Sequence, residues 1–284
     1  MIPKTIHQTI SNKSSIHPEL QENIRRLRTL NPDWDYCLYD DADCRKFIAD
    51  EYELEMIQIY DRISTRYGAA KADFFRYLLL FRKGGVYLDI KSTALEPLSS
   101  VISEQTEYLI SRWRNGPGEP DDGAGKHSKY GVDDELQQWF IVATQGHPFL
   151  RAVADRVVRN ILNYDALHGG VGASGVLRTT GPIAYTLAIQ PILDQHAHQV
   201  VDIHTLGFRY SCLHSDGRQD LHRKIIPSYR DIRFPVVETE RGDTFNVYAY
   251  YWLAVFIAYL HEVSKWGGVR QRLVDLKKRR RLTR

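Results

Sequence analysis

The sequence predicts an α/β domain in which helices flank a sheet of parallel type, and three observations carry that reading. Strand-like and helix-like segments alternate from the first residues. A strong helical run ends at Gly84-Gly85 and passes straight into a strand of period two. Charged side chains collect at the carboxyl end of that strand, where open α/β sheets gather their ligands. With 284 residues, 43% of them apolar and 26% charged, the chain has the length and composition to bury a sizeable core.

The elements follow in chain order. Ile2 to Ile10 is rich in β-branched residues and runs into Ser11-Asn12-Lys13-Ser14, which reads as a strand and a loop. Pro18 to Leu30 places Leu20, Ile24 and Leu27 on one helical face, and Asn31-Pro32 stops it. Trp34 to Tyr39 alternates as a strand, and Asp40-Asp41 can open a further helix. Residues 62–83 form the strongest helical pattern, with Phe74, Phe75, Leu78, Leu79 and Phe81 as its apolar set. Beyond the two glycines, residues 86–91 alternate, so that Val86, Leu88 and Ile90 share one face while Tyr87, Asp89 and Lys91 share the other. Residues 114–135, rich in Gly, Pro, Asp and Lys, read as a long loop, either a lid or acceptor loop or a surface excursion, with Asp133, Asp134 and Glu135 at its border as candidate acceptor contacts or, the simpler reading, a solvated charge cluster. Trp139 to Ala143 resumes as a buried strand, Phe149 to Tyr164 as an amphipathic helix, and Thr180-Gly181-Pro182 opens another helix with proline in its first turn.

Composition excludes several classes of protein. Cys37, Cys44 and Cys212 have no CxxC spacing, so neither a disulfide framework nor a cysteine zinc site is expected, and a reducing compartment fits. The net charge of +3 is unevenly placed: residues 270–284 hold eight Lys or Arg against Asp275, leaving residues 1–269 at −4. A mildly acidic body argues against nucleic acid as a partner. The start has no long apolar run of the kind a signal peptide needs, and the apolar stretch 247–260 is shorter than the roughly 20 residues that span a bilayer. The expected organisation is one domain, 1–269, with a basic tail, 270–284.

Two groups of residues could carry chemistry. Asp73 and Arg76 lie three apart on one helical face, a spacing equally compatible with a surface ion pair. Asp89 ends an otherwise apolar strand, where an unpaired carboxylate is costly to bury, so it faces a wet cleft or has a partner.

Several ordered blocks resemble the glycosyltransferases with a DxD sugar-binding motif, family 32, which includes yeast Golgi mannosyltransferases and bacterial capsule or glycolipid transferases. They are Ile2-Pro3-Lys4-Thr5-Ile6-His7-Gln8-Thr9, Asn31-Pro32-Asp33-Trp34 with Tyr39-Asp40-Asp41, Ala72-Asp73-Phe74-Phe75-Arg76-Tyr77, Gly84-Gly85-Val86-Tyr87-Leu88-Asp89, Gln138-Trp139-Phe140 with Gly146-His147-Pro148, and Thr180-Gly181-Pro182. Together they cover roughly residues 1 to 190.

The resemblance implies a GT-A fold, a Rossmann-like sheet flanked by helices. It further implies an enzyme that moves a hexose from a UDP- or GDP-sugar to a saccharide or lipid-linked glycan acceptor with retention of configuration. It puts Asp73 and Arg76 at the donor sugar and phosphate, and Asp89 at the first position of DxD, as the catalytic group of residues. His7, Gln8, Tyr87, Thr180 and Gly181 are further donor-site candidates, although a polar strand end, sheet packing or a helix cap would equally explain them. Where the family has its second Asp this chain has Lys91, whose ammonium cannot ligate a metal but can meet a phosphate as a point charge. Two arrangements follow: Asp89 holds Mn²⁺ or Mg²⁺ with help from a late residue, His261 with Ser264 and Trp266 being one register, Tyr250-Tyr251-Trp252 another, and His204 and His214 weaker candidates, or Lys91 partly replaces the metal. Loss of donor binding or catalysis is a third. The basic tail suits the anionic inner face of a membrane, giving a cytoplasmic, peripheral enzyme, or it is a solubilising end. A toxin-like transferase acting on protein, and a sugar-nucleotide-binding module without catalysis, are the rival readings.

Overall fold

The computed structural model describes residues 1–213 and 228–238. His214, the apolar stretch 247–260, Tyr250-Tyr251-Trp252, His261, Ser264, Trp266 and the tail 270–284 lie outside the described residues. Strand β1 (Thr5–Thr9) is followed by α1 (Pro18–Leu30), β2 (Asp35–Tyr39), α2 (Asp41–Glu51), α3 (Leu54–Asp61) and α4 (Gly68–Lys83). Then come β3 (Gly85–Leu88), β4 (Thr93–Ala94), α5 (Leu98–Val101), β5 (Tyr108–Ile110) and β6 (Phe140–Ala143). The order closes with α6 (Pro148–Leu162), α7 (Ala166–Gly169), α8 (Gly172–Thr179), α9 (Pro182–Ile189), β7 (Gln199–Val200), α10 (Ile203–Leu206) and β8 (Phe208–Arg209).

Local chemistry explains the boundaries. His17 caps α1 by accepting from the Glu19 N–H, with Pro18 as the first helical residue, and Asp40 and Asp43 form a reciprocal capping box at α2. Helix α4 stops at Gly84, whose φ of 65° admits few other residues, and Gly85 follows at φ 101°. A Cβ on Gly84 would sit 2.7 Å from the Gln145 nitrogen, and one on Gly85 would sit 2.6 Å from the Thr5 carbonyl oxygen. The pair therefore lets the chain reverse against β1 and enter β3 without a gap.

Six strands form one sheet in the order β2-β1-β3-β6-β5-β7. β1 runs parallel to β2 and β3, as the alternation of elements predicts, but β6 is antiparallel to both β3 and β5, so the sheet is mixed rather than wholly parallel. Both faces are buried. Tyr87, Ile141 and Ala143 pack with Phe74, Leu78, Phe149 and Tyr185 on one side, and Val86, Leu88, Phe140 and Val142 pack with Ile6, Leu27 and Leu98 on the other. Each such side chain, once fully buried, stabilises the fold by about 1.5–3 kcal/mol.

Three expectations are corrected. The helix expected from residue 62 begins at Gly68, because Ile63 pairs with Val237 in a β-bridge and the Ser64 N–H donates to the Val236 carbonyl. The strand expected over 86–91 ends at Leu88, because the Ser92 N–H donates to the Asp89 carbonyl at 2.7 Å and closes a turn. Finally, Glu135 is buried rather than solvated, taking bonds from Trp113 Nε1 at 2.8 Å and His127 Nε2 at 2.7 Å, while Asp133 and Asp134 are exposed. The Trp113 bond ties the two ends of the 114–135 loop together, and the His127 bond ties its middle to Glu135. Among the described residues no helix is long and apolar enough to cross a membrane.

Candidate active site

Helix α4 and the end of β3 bring four charged side chains together. The Arg76 guanidinium is the hub. Its Nη2 reaches Asp73 Oδ1 and Asp89 Oδ1, both at 3.0 Å, and its Nη1 donates to the Gln138 carbonyl and Oε1, both at 2.8 Å. Nε donates to the Ala72 carbonyl at 3.3 Å. All three guanidinium nitrogens thus face acceptors inside the protein, and the group lies 4.5 Å from the centre of the Tyr87 ring. Lys91 is folded back by the Asp89–Ser92 turn, so that its Nζ meets Asp89 Oδ2 at 2.7 Å and stands 4.6 Å from the Tyr210 ring centre.

The network has no net formal charge: two carboxylates face two cations. Burial, helped by the neighbouring Asp89 charge, pushes the Asp73 carboxyl up from its ordinary range, while Arg76 and the bonds from Gln138 and Thr180 pull the other way. Burial disfavours charge on Arg76 as well, yet Tyr87, Asp89 and Asp73 together carry its pKa above the ordinary value. Lys91 is raised too, since Asp89 and Tyr210 outweigh its desolvation. Exposure separates the members: the side chains of Asp73 and Arg76 are 6% and 5% exposed, those of Asp89 and Lys91 19% and 11%. The Asp73–Arg76 pair is therefore no surface pair, and the accessible edge of the cluster belongs to Asp89 and Lys91.

The remaining candidates sort by position. Gln8 is at the cluster: its Nε2 donates to the Asp89 carbonyl at 3.1 Å while its Oε1 accepts from Tyr36 at 2.7 Å. Tyr87 lies beneath Arg76, its hydroxyl bonded to Thr9 Oγ1 at 2.8 Å. Thr180 backs Asp73, donating to Oδ2 at 3.2 Å, and is wholly buried. Gly181, which opens α9, has its N–H bonded to the Val176 carbonyl at 2.9 Å and no bond to the cluster. His7 points under the Gly84-Gly85 turn instead, with Nε2 against the Gly84 carbonyl at 3.1 Å and Nδ1 against Tyr39, and burial pushes its pKa down to about 4.

Sequence reasoning gave no role to Gln138, Tyr77 or Tyr210. Gln138 is the neutral joint of the site, donating through Nε2 to Asp73 Oδ1 at 3.1 Å while its Oε1 accepts from Arg76 and Tyr77. The signals for Gln138 were its place in the Gln138-Trp139-Phe140 block and the polar pair Gln137-Gln138 immediately before the apolar run of β6.

The metal reading places Mn²⁺ or Mg²⁺ on Asp89 with His261. His261 is outside the described residues, and among the described residues no group of three His, Cys, Asp or Glu side chains could hold an ion. Asp89 already has Arg76 on one oxygen and Lys91 on the other. Among the described residues the donor set therefore does not fit a divalent cation.

Comparison with known proteins points to the same segment. Residues 17–108 match the family described as a glycosyltransferase sugar-binding region containing a DXD motif, a stretch that carries Asp73, Arg76, Asp89 and Lys91. The resemblance stated from the sequence is thereby borne out. An initiation-specific alpha-1,6-mannosyltransferase of Schizosaccharomyces pombe is 28% identical over 199 residues, 68% of this chain and 49% of that protein. Its counterpart in Candida albicans is 33% identical over 137 residues, 45% of this chain and 34% of that protein. An inositol phosphoceramide mannosyltransferase 3 of S. pombe is 30% identical over 183 residues, 64% of this chain and 43% of that protein. The chain thus spans half the length, or less, of these curated relatives. Among solved structures, the PaToxG glycosyltransferase aligns at a TM-score of 0.48 and 16% identity over 81% of this chain and 87% of that one.

Proposed function

We propose that the chain is a retaining glycosyltransferase that moves a hexose from a UDP- or GDP-sugar to a glycan or glycolipid acceptor. The observation that carries this reading is the buried Asp73–Arg76–Asp89 chain of ion pairs at the carboxyl end of β3, inside the segment that matches a sugar-binding region. Mannose is the hexose its curated relatives are named for, which makes a mannosyl donor the first to test.

Each residue has a part that follows from its bonds. Arg76, with each guanidinium nitrogen held against an acceptor of the protein, positions the two carboxylates and touches no substrate. Asp89, at the accessible edge, accepts from hydroxyls of the donor sugar or ribose. Lys91 uses one N–H on Asp89, and its ammonium is the cation that faces the diphosphate. As the C1–oxygen bond to the leaving diphosphate breaks, that ammonium opposes the charge building on the phosphate oxygens. The acceptor hydroxyl then bonds C1 from the same face, and the leaving phosphate takes its proton. Asp73 and Thr180 stay behind, holding Arg76 and the α8 end in register. The same reading places the chain in the cytoplasm, with residues 270–284 against an anionic membrane surface; vesicle binding by the full chain, reversed by added salt, checks that part.

Transfer and donor binding, measured over a panel of UDP- and GDP-hexoses with and without Mn²⁺, test the proposal. Asp89→Asn is expected to lower transfer by about a hundredfold or more while leaving the chain folded, and Lys91→Gln to weaken donor binding by roughly tenfold. Full transfer by a folded Asp89→Asn protein would overturn the assignment. Donor binding without transfer to any acceptor or to water would leave a sugar-nucleotide-binding module, and a strict need for Mn²⁺ would return the cation's part to a metal.

A further inference from the structure

On the helical side of the molecule, a groove of about 700 Å³ opens between α6, α7, α8 and the turn at Ser128–Tyr130. Lys129, Arg156, Arg159 and Arg178 line it, and among the described residues Asp165 is its one carboxylate. That carboxylate is already bonded to His168 Nδ1 and to the Leu167 N–H.

None of the three arginines has a carboxylate partner among the described residues; they meet carbonyl oxygens only. Arg156 Nη1 reaches Leu187 at 3.4 Å, Arg159 Nε reaches Asp155 at 3.3 Å, and Arg178 Nη1 reaches His168 and Gly169. The side chain of Asp155 is itself bound by Arg151 at 2.9 Å. Arg156 Nε is buried with no partner. Its own burial and the neighbouring Arg159 push the Arg156 guanidinium below the ordinary arginine range, as expected of like charges gathered without an anion. Tyr130 orders the mouth of the groove, with Arg178 and Lys129 each 4.7 Å from its ring centre.

We propose that this groove binds a phosphate-class anion, at a site separate from that of the nucleotide sugar. Guanidinium groups held by ring stacking and carbonyl bonds present fixed donors, which suit a tetrahedral oxyanion carrying several acceptors. The volume admits more than one phosphate, so the group is part of a larger ligand, either a sugar phosphate or the headgroup of a phospholipid. Thr179 lines the groove and Thr180 bonds Asp73, so an occupant sits behind one wall of the candidate active site. The inference rests on the groove alone and does not require the transferase reading.

Calorimetric titration of the full chain with inorganic phosphate at constant ionic strength tests it. Binding is expected to persist in Lys91→Gln, which disables the other phosphate-facing cation. It should weaken by about tenfold or more in the double variant Arg156→Gln, Arg178→Gln. Arg159→Gln, an exposed site whose side chain bonds only its own helix among the described residues, gives a smaller loss and decides the matter should the double variant fail to fold. Glucose 6-phosphate binding tighter than inorganic phosphate assigns the soluble source. Groove-dependent sedimentation with phosphatidylcholine vesicles containing phosphatidic acid assigns the headgroup. Unchanged phosphate affinity in the folded groove variants, or loss in Lys91→Gln alone, overturns the proposal.

Discussion

Two regions of this protein concentrate charge, and they do so in opposite ways. At the end of β3, two cations and two carboxylates cancel, and every guanidinium nitrogen of Arg76 faces an acceptor within the fold. In the groove over α6 and α8, four cations face one carboxylate that is otherwise engaged. A saturated, neutral cluster holds geometry, because desolvated charges tolerate burial only when paired. An uncompensated cluster at a groove leaves its potential for something arriving from solution. Lys91 stands between the two kinds: paired on one side and accessible on the other.

Removing a charge should expose the difference. Arg76→Gln leaves the buried Asp73 carboxylate without its cation, beside an Asp89 that keeps Lys91 alone, and is expected to destabilise the fold by about 3–5 kcal/mol. Arg76→Lys should not restore it, since an ammonium cannot supply five directed donors. Urea unfolding of both variants measures this, and a loss under 1 kcal/mol would dissolve the contrast between the regions.

Acid creates an unpaired core cation directly. His7 titrates at about 4 in the fold against 6.5 for an ordinary histidine, so the native state resists the proton. Its contribution is fully present above pH 6.5 and is lost as pH falls toward 4, roughly 3 kcal/mol in all. The difference in stability between the natural chain and His7→Gln should therefore shrink across that interval. A constant difference would mean that His7 carries its charge in the fold.

The smallest effect belongs to the groove. Arg159→Gln is expected to change stability by less than about 0.5 kcal/mol, because no carboxylate depends on it. A larger destabilisation in thermal unfolding would show that the groove, too, is holding structure.

Much of this was legible in the chain. The glycine pair announced the turn between α4 and β3, and the charged residues after β3 marked the site, although Lys91 meets Asp89 through the turn at Asp89–Ser92 and not through the strand alternation expected over 86–91. Burial of Asp73 and Arg76 was not legible, because three-residue spacing looks the same on a surface helix as on one covered on both faces. Nor was the joint made by Gln138, which depends on β6 lying antiparallel beside β3, a pairing fixed by tertiary packing rather than local pattern. The groove left no sequence signature at all: Lys129, Arg156, Arg159 and Arg178 come from a short turn and two separate helices. Glu135 misled for a related reason, since its partners Trp113 and His127 are distant in pattern though close in space.

The turn at Gly84-Gly85 also sets how much chain must be gathered to build the site. Arg76 and Asp89 are thirteen positions apart, whereas Arg76 and Gln138 are separated by 62 and Asp73 and Thr180 by 107. Closing the longer loops costs about 1–2 kcal/mol more chain entropy than closing the shorter one. The charged half of the site is thus nearly local to one hairpin of chain, and its neutral backing is drawn from afar.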